Sequence, residues 1–342
     1  MIEKEEIITC KSYLPLCDYH YDAPDLDNIP PTGLVHVPLD HIEEFFKRVD
    51  SNGHHYVVVS SCSDYGLAIQ QEHAAWQDMV KWIKMQVGPS FGYSDLEMPA
   101  RIDPNKCSIQ DTYSVKCHSW TRATIPKIPH NVHHWFLTNL MFVPEPETYT
   151  FLYEANTHEK MTAIPFGIAE GKQRDIVYTL NLKKMAQTQT AQFGPDGRKN
   201  KIYISWNDYT YERYDLRQKL TEWSQYADND ALTVKYPGDG QDPYDKYLQN
   251  LATHKYVVSP PGNGVDCYRT LEAIYMGCVV LVEDNPTNHL TNLPVHKYKS
   301  VEDIISLYNA NRNISNSEAY NNPRIKLSYW QNIIEEKRDE LF

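Results

Sequence analysis

No stretch of this 342-residue chain approaches the roughly 18–20 consecutive apolar residues that cross a bilayer as a helix, so no transmembrane segment is expected. Met1 to Glu6 carries three glutamates and one lysine with no apolar core behind them. No secretory signal is therefore expected, and the expected location is cytoplasmic. Positive charge is short as well: 33 lysines and arginines stand against 45 acidic residues, a formal net charge of −12. That balance excludes a broad basic face for DNA, RNA or anionic lipid. It leaves room for one local basic pocket that takes a phosphate. Cys-x-x-Cys pairs are missing too. The seven cysteines, Cys10, Cys17, Cys62, Cys107, Cys117, Cys267 and Cys278, are odd in number and scattered, which reads as reduced thiols.

What the chain does have is 41% hydrophobic and 23% charged residues, a globular balance, and enough length for two domains. Its 25 tyrosines and seven tryptophans fit a tyrosine-rich core, or a cleft in which sugar faces stack on rings. Residues 10–32 are rich in proline and aspartate and read as loop. Gly33–Val37 and Tyr56–Ser60 read as strands. Ile42, Phe45, Phe46 and Val49 between them mark one helical face, with Asp40 and Glu43 as a capping pair. Ile69, His73, Trp76, Val80 and Ile83 form another helical stripe, and a strand is expected near Tyr113–Cys117. Apolar segments return at His133–Asn139 and Met161–Ile168. Part of the polar stretch Ala169–Lys201 reads as a connection between domains.

The second half alternates more clearly. Strands are expected at Lys201–Trp206, Ala231–Tyr236, Tyr256–Ser259 and Cys278–Val282. Helices are expected around Leu216, Leu220 and Trp223, after Pro243 through Tyr244 and Leu251, over Asp266–Met276, near Ile304–Tyr308, and at Ile325–Leu341. Strand and helix in alternation are the grammar of α/β domains with parallel sheets.

The segment richest in chemistry is Ser259-Pro-Pro-Gly-Asn-Gly-Val-Asp-Cys-Tyr-Arg-Thr-Leu-Glu-Ala-Ile-Tyr-Met-Gly-Cys278. A strand ends at Ser259, a double proline turns the chain, and Gly262 and Gly264 permit close backbone approach. Asp266 is placed to cap the next helix and Gly277 to close it. A helix N-terminus at the carboxyl end of parallel strands suits an anion such as a diphosphate. Arg269 and Glu272, three apart, share a helix face. The guanidinium suits phosphate oxygens and the carboxylate suits ribose hydroxyls. An ordinary surface ion pair would have the same spacing.

This pattern resembles the donor-site motif of exostosin-like GT-B glycosyltransferases. Ile164-Pro-Phe-Gly-Ile168, Trp206-Asn-Asp-Tyr-Thr210 with Glu212-Arg213, and Trp135-Phe136 with Asn139 resemble further blocks of that group, in the same order. The likeness covers about residues 130–285. It implies a GT-B architecture of two Rossmann-like α/β domains facing across a cleft. An acceptor-side domain would span 1–168 and a nucleotide-sugar domain 169–320, with a helix in 321–342 packing back on the first. It also implies that Arg213 and Arg269 meet the donor diphosphate and Glu272 the ribose. Gly262, Asn263, Gly264, Asp266, Trp206, Asn207, Thr210 and Ser259 would line the donor, and Pro165, Gly167 and Asn139 the cleft. Residues near Lys255–Val258 would flank the base. The implied activity moves a sugar from a nucleotide-sugar, expected to be UDP-linked with UDP-xylose or a uronic acid as the narrower guess, to a hydroxyl of a glycan acceptor. No metal or cofactor is expected, since two arginines can neutralise the leaving diphosphate.

An inverting transfer needs a base for the acceptor hydroxyl. Asp64, just past the Tyr56–Ser60 strand, is the first choice, with a helix cap as the competing reading and His36 and Asp18 as weaker substitutes. Asp25 and Asp27 spell Asp-x-Asp, but in an early proline-rich loop rather than after several βα units. His130, His133 and His134 have zinc-compatible spacing without a completing ligand. Gly238-Asp-Gly240 reads as a turn, and Asn313-Ile-Ser315 as a sequon left unmodified in an unsecreted chain. Two other classes stay open: a catalytically silent glycan- or nucleotide-binding protein on a transferase fold, and another nucleotide-sugar enzyme such as an epimerase. The second would want Gly-x-Gly-x-x-Gly after the first strand, where Pro38-Leu-Asp40 stands instead.

Overall fold

The computed structural model describes residues 2–21, 28–61, 128–140, 160–187, 198–206, 211–227, 230–235, 243–261, 266–310, 319 and 321–342. The helical stripe from Ile69, the strand near Tyr113–Cys117, Asp64, Asp25, Asp27, Gly238–Gly240 and the Asn313 sequon lie outside them.

Two parallel sheets organise the described residues. The first contains β1 (Tyr19–His20), β2 (Gly33–His36), β3 (Tyr56–Ser60), β4 (Val132–Leu137) and β5 (Met161–Ala163), in spatial order β1-β2-β3-β4-β5. Helix α1 (Ile42–Val49) joins β2 to β3. Its predicted stripe Ile42, Phe45, Phe46 and Val49 is buried throughout. The N-cap position is His41 rather than Asp40, and the His41 side chain makes no capping bond. A short 3-10 turn, Leu39–His41, leads into it instead.

The second sheet contains β6 (Lys199–Ser205), β7 (Leu232–Lys235), β8 (His254–Ser259), β9 (Val279–Glu283) and β10 (His296–Tyr298), ordered β10-β9-β8-β6-β7. Around it run α2 (Gln173–Gln187), α3 (Tyr211–Ala227), α4 (Tyr244–Thr253), α5 (Tyr268–Tyr275), α6 (Pro286–Leu290) and α7 (Val301–Ala310), and the chain closes with α8 (Leu327–Asp339). Valine runs such as Val279–Val282 are buried on both faces, as a parallel sheet covered on both sides requires. Chain order reverses between β6 and β8. The chain leaves β6 for β7 on one side and returns through α4 to β8 on the other. That reversal is a topological switch point, where open α/β sheets leave a crevice beyond their strand ends.

The two sheets share packing. One apolar cluster joins Leu34, Val57, Val59 and Phe136 of the first sheet to Val257, Val280 and Ile274 of the second half, and to Trp330 and Ile334 of α8. Separate clusters back the outer faces, one around Phe45, Phe46 and Trp135, the other around Trp206, Leu220 and Tyr308. Helix α8 packs against β3 and β4. The Tyr275 hydroxyl donates to the Ile325 carbonyl and accepts from the Ile8 amide, both at 3.0 Å, stitching both chain ends to α5.

Candidate functional site

Among the described residues, Trp206, Arg213, Ser259 and Arg269 of the expected donor set lie near the switch point. Beyond the end of β6, Trp206 is buried, and its indole N–H donates to the Arg213 carbonyl at 3.0 Å. Arg213 stands on the first turn of α3 and is buried. It is 7% exposed, and its Nε donates to the Pro261 carbonyl at 2.7 Å beyond the end of β8. Arg217, one turn on, is 1% exposed, bonds the Trp206 carbonyl and lies over the Trp206 ring at 5.6 Å. Arg269, on α5, is half-buried; its Nε donates to the Ser205 carbonyl at 3.0 Å and its guanidinium lies 6.0 Å from the same ring. Arg213 and Arg269 both act electrostatically on the buried Tyr298 hydroxyl, at the carboxyl end of β10. Arg213 and Arg269 thus bond the main chain just past β8 and at the end of β6, while the guanidinium groups over the Trp206 ring are those of Arg217 and Arg269. Arg217 was not singled out by the sequence pattern; its place four residues after Arg213, one turn along the same helix face, was the available signal.

Strand order and helix geometry account for this placement. Guanidinium groups tied to main-chain carbonyls keep their charge, because a carbonyl neutralises none of it. Ser259 is buried, its hydroxyl within hydrogen-bond distance of Thr270 at 3.1 Å and of the Cys267 thiol at 3.2 Å. The Arg269 Nη1 reaches the same sulfur at 3.9 Å. Gly277, with φ +73°, closes α5 as the sequence predicts. Gly262, Asn263, Gly264, Asn207 and Thr210 lie outside the described residues.

Three predicted placements are corrected. Asp266 does not cap α5: Cys267 is the N-cap, without a side-chain capping bond. The Asp266 carboxylate instead accepts from the Phe166 amide at 2.9 Å, a hundred residues away in the chain. Glu272 does not stand open beside Arg269 for a ribose. It is 5% exposed, and its two oxygens accept from the Tyr244 and Tyr247 hydroxyls of α4 at 2.8 and 2.9 Å. Burial pushes its carboxyl up while the two tyrosines, then Arg269 and Lys172, pull it back. Gly167 does not line a cleft. With φ +90° it packs so close to the N-terminal segment that a Cβ would lie 2.5 Å from the Thr9 carbonyl carbon.

The other cleft residues lie beyond the carboxyl ends of the first sheet. Asn139, with φ +55°, accepts through Oδ1 from the Asp266 amide at 2.8 Å. The Pro165 carbonyl accepts from the Tyr13 hydroxyl at 3.3 Å. Lys255, expected to flank the base, is 7% exposed in β8 with its ammonium 5.6 Å from the Tyr256 ring.

Comparison with known proteins gives little further. No family model matches the chain, and no curated protein does. Among solved structures, one described as "Crystal structure of GtfA/B complex" is similar over 60% of this chain at 14% identity, with a TM-score of 0.31. The chain spans 53% of that chain's length. A likeness this distant carries no argument, so function rests on the residues themselves.

The substitute bases are accounted for. Asp18 is structural: one carboxylate oxygen accepts from the Leu34 amide at 2.9 Å and the other faces Arg338 at 3.3 Å. His36 is buried at the end of β2, its Nε2 3.4 Å from the Ser61 hydroxyl. The histidines do not converge as ligands. His133 pairs with His55 at 2.8 Å, His134 with Thr162 at 2.8 Å, and His130 lies 3.9 Å from Asp50. Burial holds His134 down at about 4. Among the described residues, no three His, Cys, Asp or Glu side chains gather to hold a metal. Cys10, Cys17, Cys267 and Cys278 are not joined in disulfides, and burial pushes Cys17 up to about 12. No described helix is long and apolar enough to cross a membrane.

Proposed function

We propose that the protein is a glycosyltransferase of GT-B type whose second sheet binds a nucleotide-sugar, UDP-linked in this reading, and whose first sheet receives a glycan hydroxyl. The observation that carries the proposal is that Arg213 and Arg269, from two different helices, reach the main chain just past β8 and at the end of β6, beside the switch point, and both act on the Tyr298 hydroxyl. A diphosphate set there would lie by the N-terminus of α5 and be met by two cations. The exostosin-like pattern of Ser259–Cys278 supports the same reading independently.

In the reaction proposed, the acceptor oxygen bonds to the anomeric carbon as the bond from that carbon to the diphosphate breaks. The acceptor proton goes to a carboxylate, Asp64, four residues past the end of β3. The negative charge that grows on the departing diphosphate is met by Arg213 and Arg269, so the charge needs no metal to hold it. Glu272 enters as the anchor that ties α5 to α4, and so fixes the helix that carries Arg269. The ribose contact falls to another group.

A thermal-shift screen against a panel of nucleotide sugars tests donor binding, and release of free sugar from the matching donor tests turnover. Asp64→Asn is expected to keep the donor shift and lose at least about 100-fold in turnover, the usual scale for removing a general base. Full activity in that variant places the base elsewhere, and a shift without turnover in the wild type favours a binding protein.

A further inference from the structure

Asp266 stands between the two halves, and two of its hydrogen bonds cross the seam. Its backbone amide donates to Asn139 Oδ1 at 2.8 Å, and its Oδ2 accepts from the Phe166 amide at 2.9 Å. Asn139 follows β4, Phe166 follows β5, and Asp266 precedes α5. The three partners therefore belong to the carboxyl ends of both sheets. Asn139 holds φ +55°, a left-handed conformation that asparagine adopts more readily than most residues, and this aims its amide at the bend. Beside the bonds, the Phe166 and Tyr268 rings stack at 4.9 Å and 24°. Thr287, at the start of α6, adds another crossing through its hydroxyl to the Leu140 carbonyl at 2.5 Å.

A buried carboxylate that joins two halves is an expensive choice, because desolvation opposes its charge. Asp266 is 4% exposed, and its second oxygen, Oδ1, has no hydrogen-bond partner among the described residues. Burial pushes the carboxyl up to about 6 against the Phe166 amide, the Cys267 amide and the Thr270 hydroxyl, which favour its charge. Among the described residues, Tyr13 of the N-terminal segment feels the Asp266 charge: burial, then Tyr275 and Asp266, push its hydroxyl up. A proton on Oδ1 leaves Oδ2 free to go on accepting from Phe166, so the crossing bond holds in either protonation state.

We propose that Asp266 is a positioning residue: through Asn139 and the Phe166 amide it fixes the bend before α5 to the first sheet, and so holds Arg269 in register with its anion. Arg269 lies three residues past Asp266 and α5 has only eight residues. Tilt at its N-terminus moves the guanidinium directly. The device also makes the donor site sense the acceptor half, since Asn139 and Phe166 belong to the first sheet's edge. The positioning role rests on the diphosphate reading, whereas the crossing bonds themselves do not.

Two readouts on the full chain test it. Hydrogen exchange at the Phe166 amide is expected to speed up about 10-fold or more in Asp266→Ala and to stay within about threefold of wild type in Asp266→Asn, whose side-chain carbonyl still accepts. Calorimetry with UDP is expected to show affinity about 5–10-fold weaker in Asn139→Gly, which keeps the positive φ and removes one buried hydrogen bond of roughly 1 kcal/mol. Unchanged UDP affinity in Asn139→Gly overturns the positioning role, and unchanged Phe166 exchange in Asp266→Ala overturns the bridge. A wild-type chain that binds no UDP takes the positioning role down with the functional reading, and the exchange result then decides the bridge alone.

Discussion

At the scale of single residues, buried polar groups are sorted by what they bond. Glu272 is satisfied by two phenols, so removing one leaves a carboxylate oxygen short in a dry place. Tyr247→Phe is expected to cost about 1–3 kcal/mol, read as a lower urea midpoint with an unchanged slope. Asp266 works in the opposite direction. Its folded-state value lies near 6 against an ordinary 3.8, so the folded chain holds the proton more tightly than the unfolded one. The stability linked to that proton is full below about pH 4 and is lost as pH rises through about 6. Replacing Asp266 by Asn removes this dependence. Relative to wild type, the variant should therefore gain on the order of 1–3 kcal/mol on going from pH 4 to pH 7.5. A wild-type-minus-variant difference that stays flat over that window contradicts a buried, proton-holding Asp266. None of this was legible in the sequence. Asp266 read as a cap and Glu272 as a ribose ligand because their partners, Phe166 and Tyr244 with Tyr247, are brought by tertiary packing from far along the chain.

At the scale of elements, the strands and amphipathic helices of the second half were readable because Val, Ile and Tyr runs alternate with clear 3.6-residue stripes. Helices α3, α4 and α7 and strands β6, β8 and β9 sit within a few residues of where those patterns place them. Helix α2 was not readable. Ile176 and Leu180 face the core, but Tyr178 and Leu182 are exposed on the opposite side, which blurs the stripe. Strand β10, only His296–Tyr298, is too short to carry a period and exists because β9 offers it an edge. Gly167 shows an element-level constraint in reverse. The Thr9–Ile168 bridge needs a residue at φ +90° with no side chain. Gly167→Ala is expected to cost about 1–3 kcal/mol or more from strain and backbone overlap, measured by chemical denaturation; a neutral result would mean the N-terminal segment does not pack there.

At the scale of the molecule, the shared apolar cluster and the chain ends stitched by Tyr275 make the two halves one cooperative object. Calorimetric unfolding is expected to give a single transition whose van't Hoff and calorimetric enthalpies agree. Trp330, 1% exposed in that shared cluster, is the residue whose loss should reach both halves. Trp330→Ala should lower stability by about 3–5 kcal/mol and move that single transition as a whole. Two resolved transitions would contradict the shared core. Sequence periodicity gave two α/β units but not the strand orders, and it is the order of the second sheet that places a switch point under Arg213 and Arg269. The central claim is that these guanidinium groups hold a diphosphate there. Titrating UDP into wild type and Arg269→Ala by calorimetry tests it most directly. Affinity is expected to be weaker by about 10-fold or more in the variant for the loss of one charge-assisted contact, with the unliganded melting temperature nearly unchanged. Equal affinity in the two proteins would contradict it.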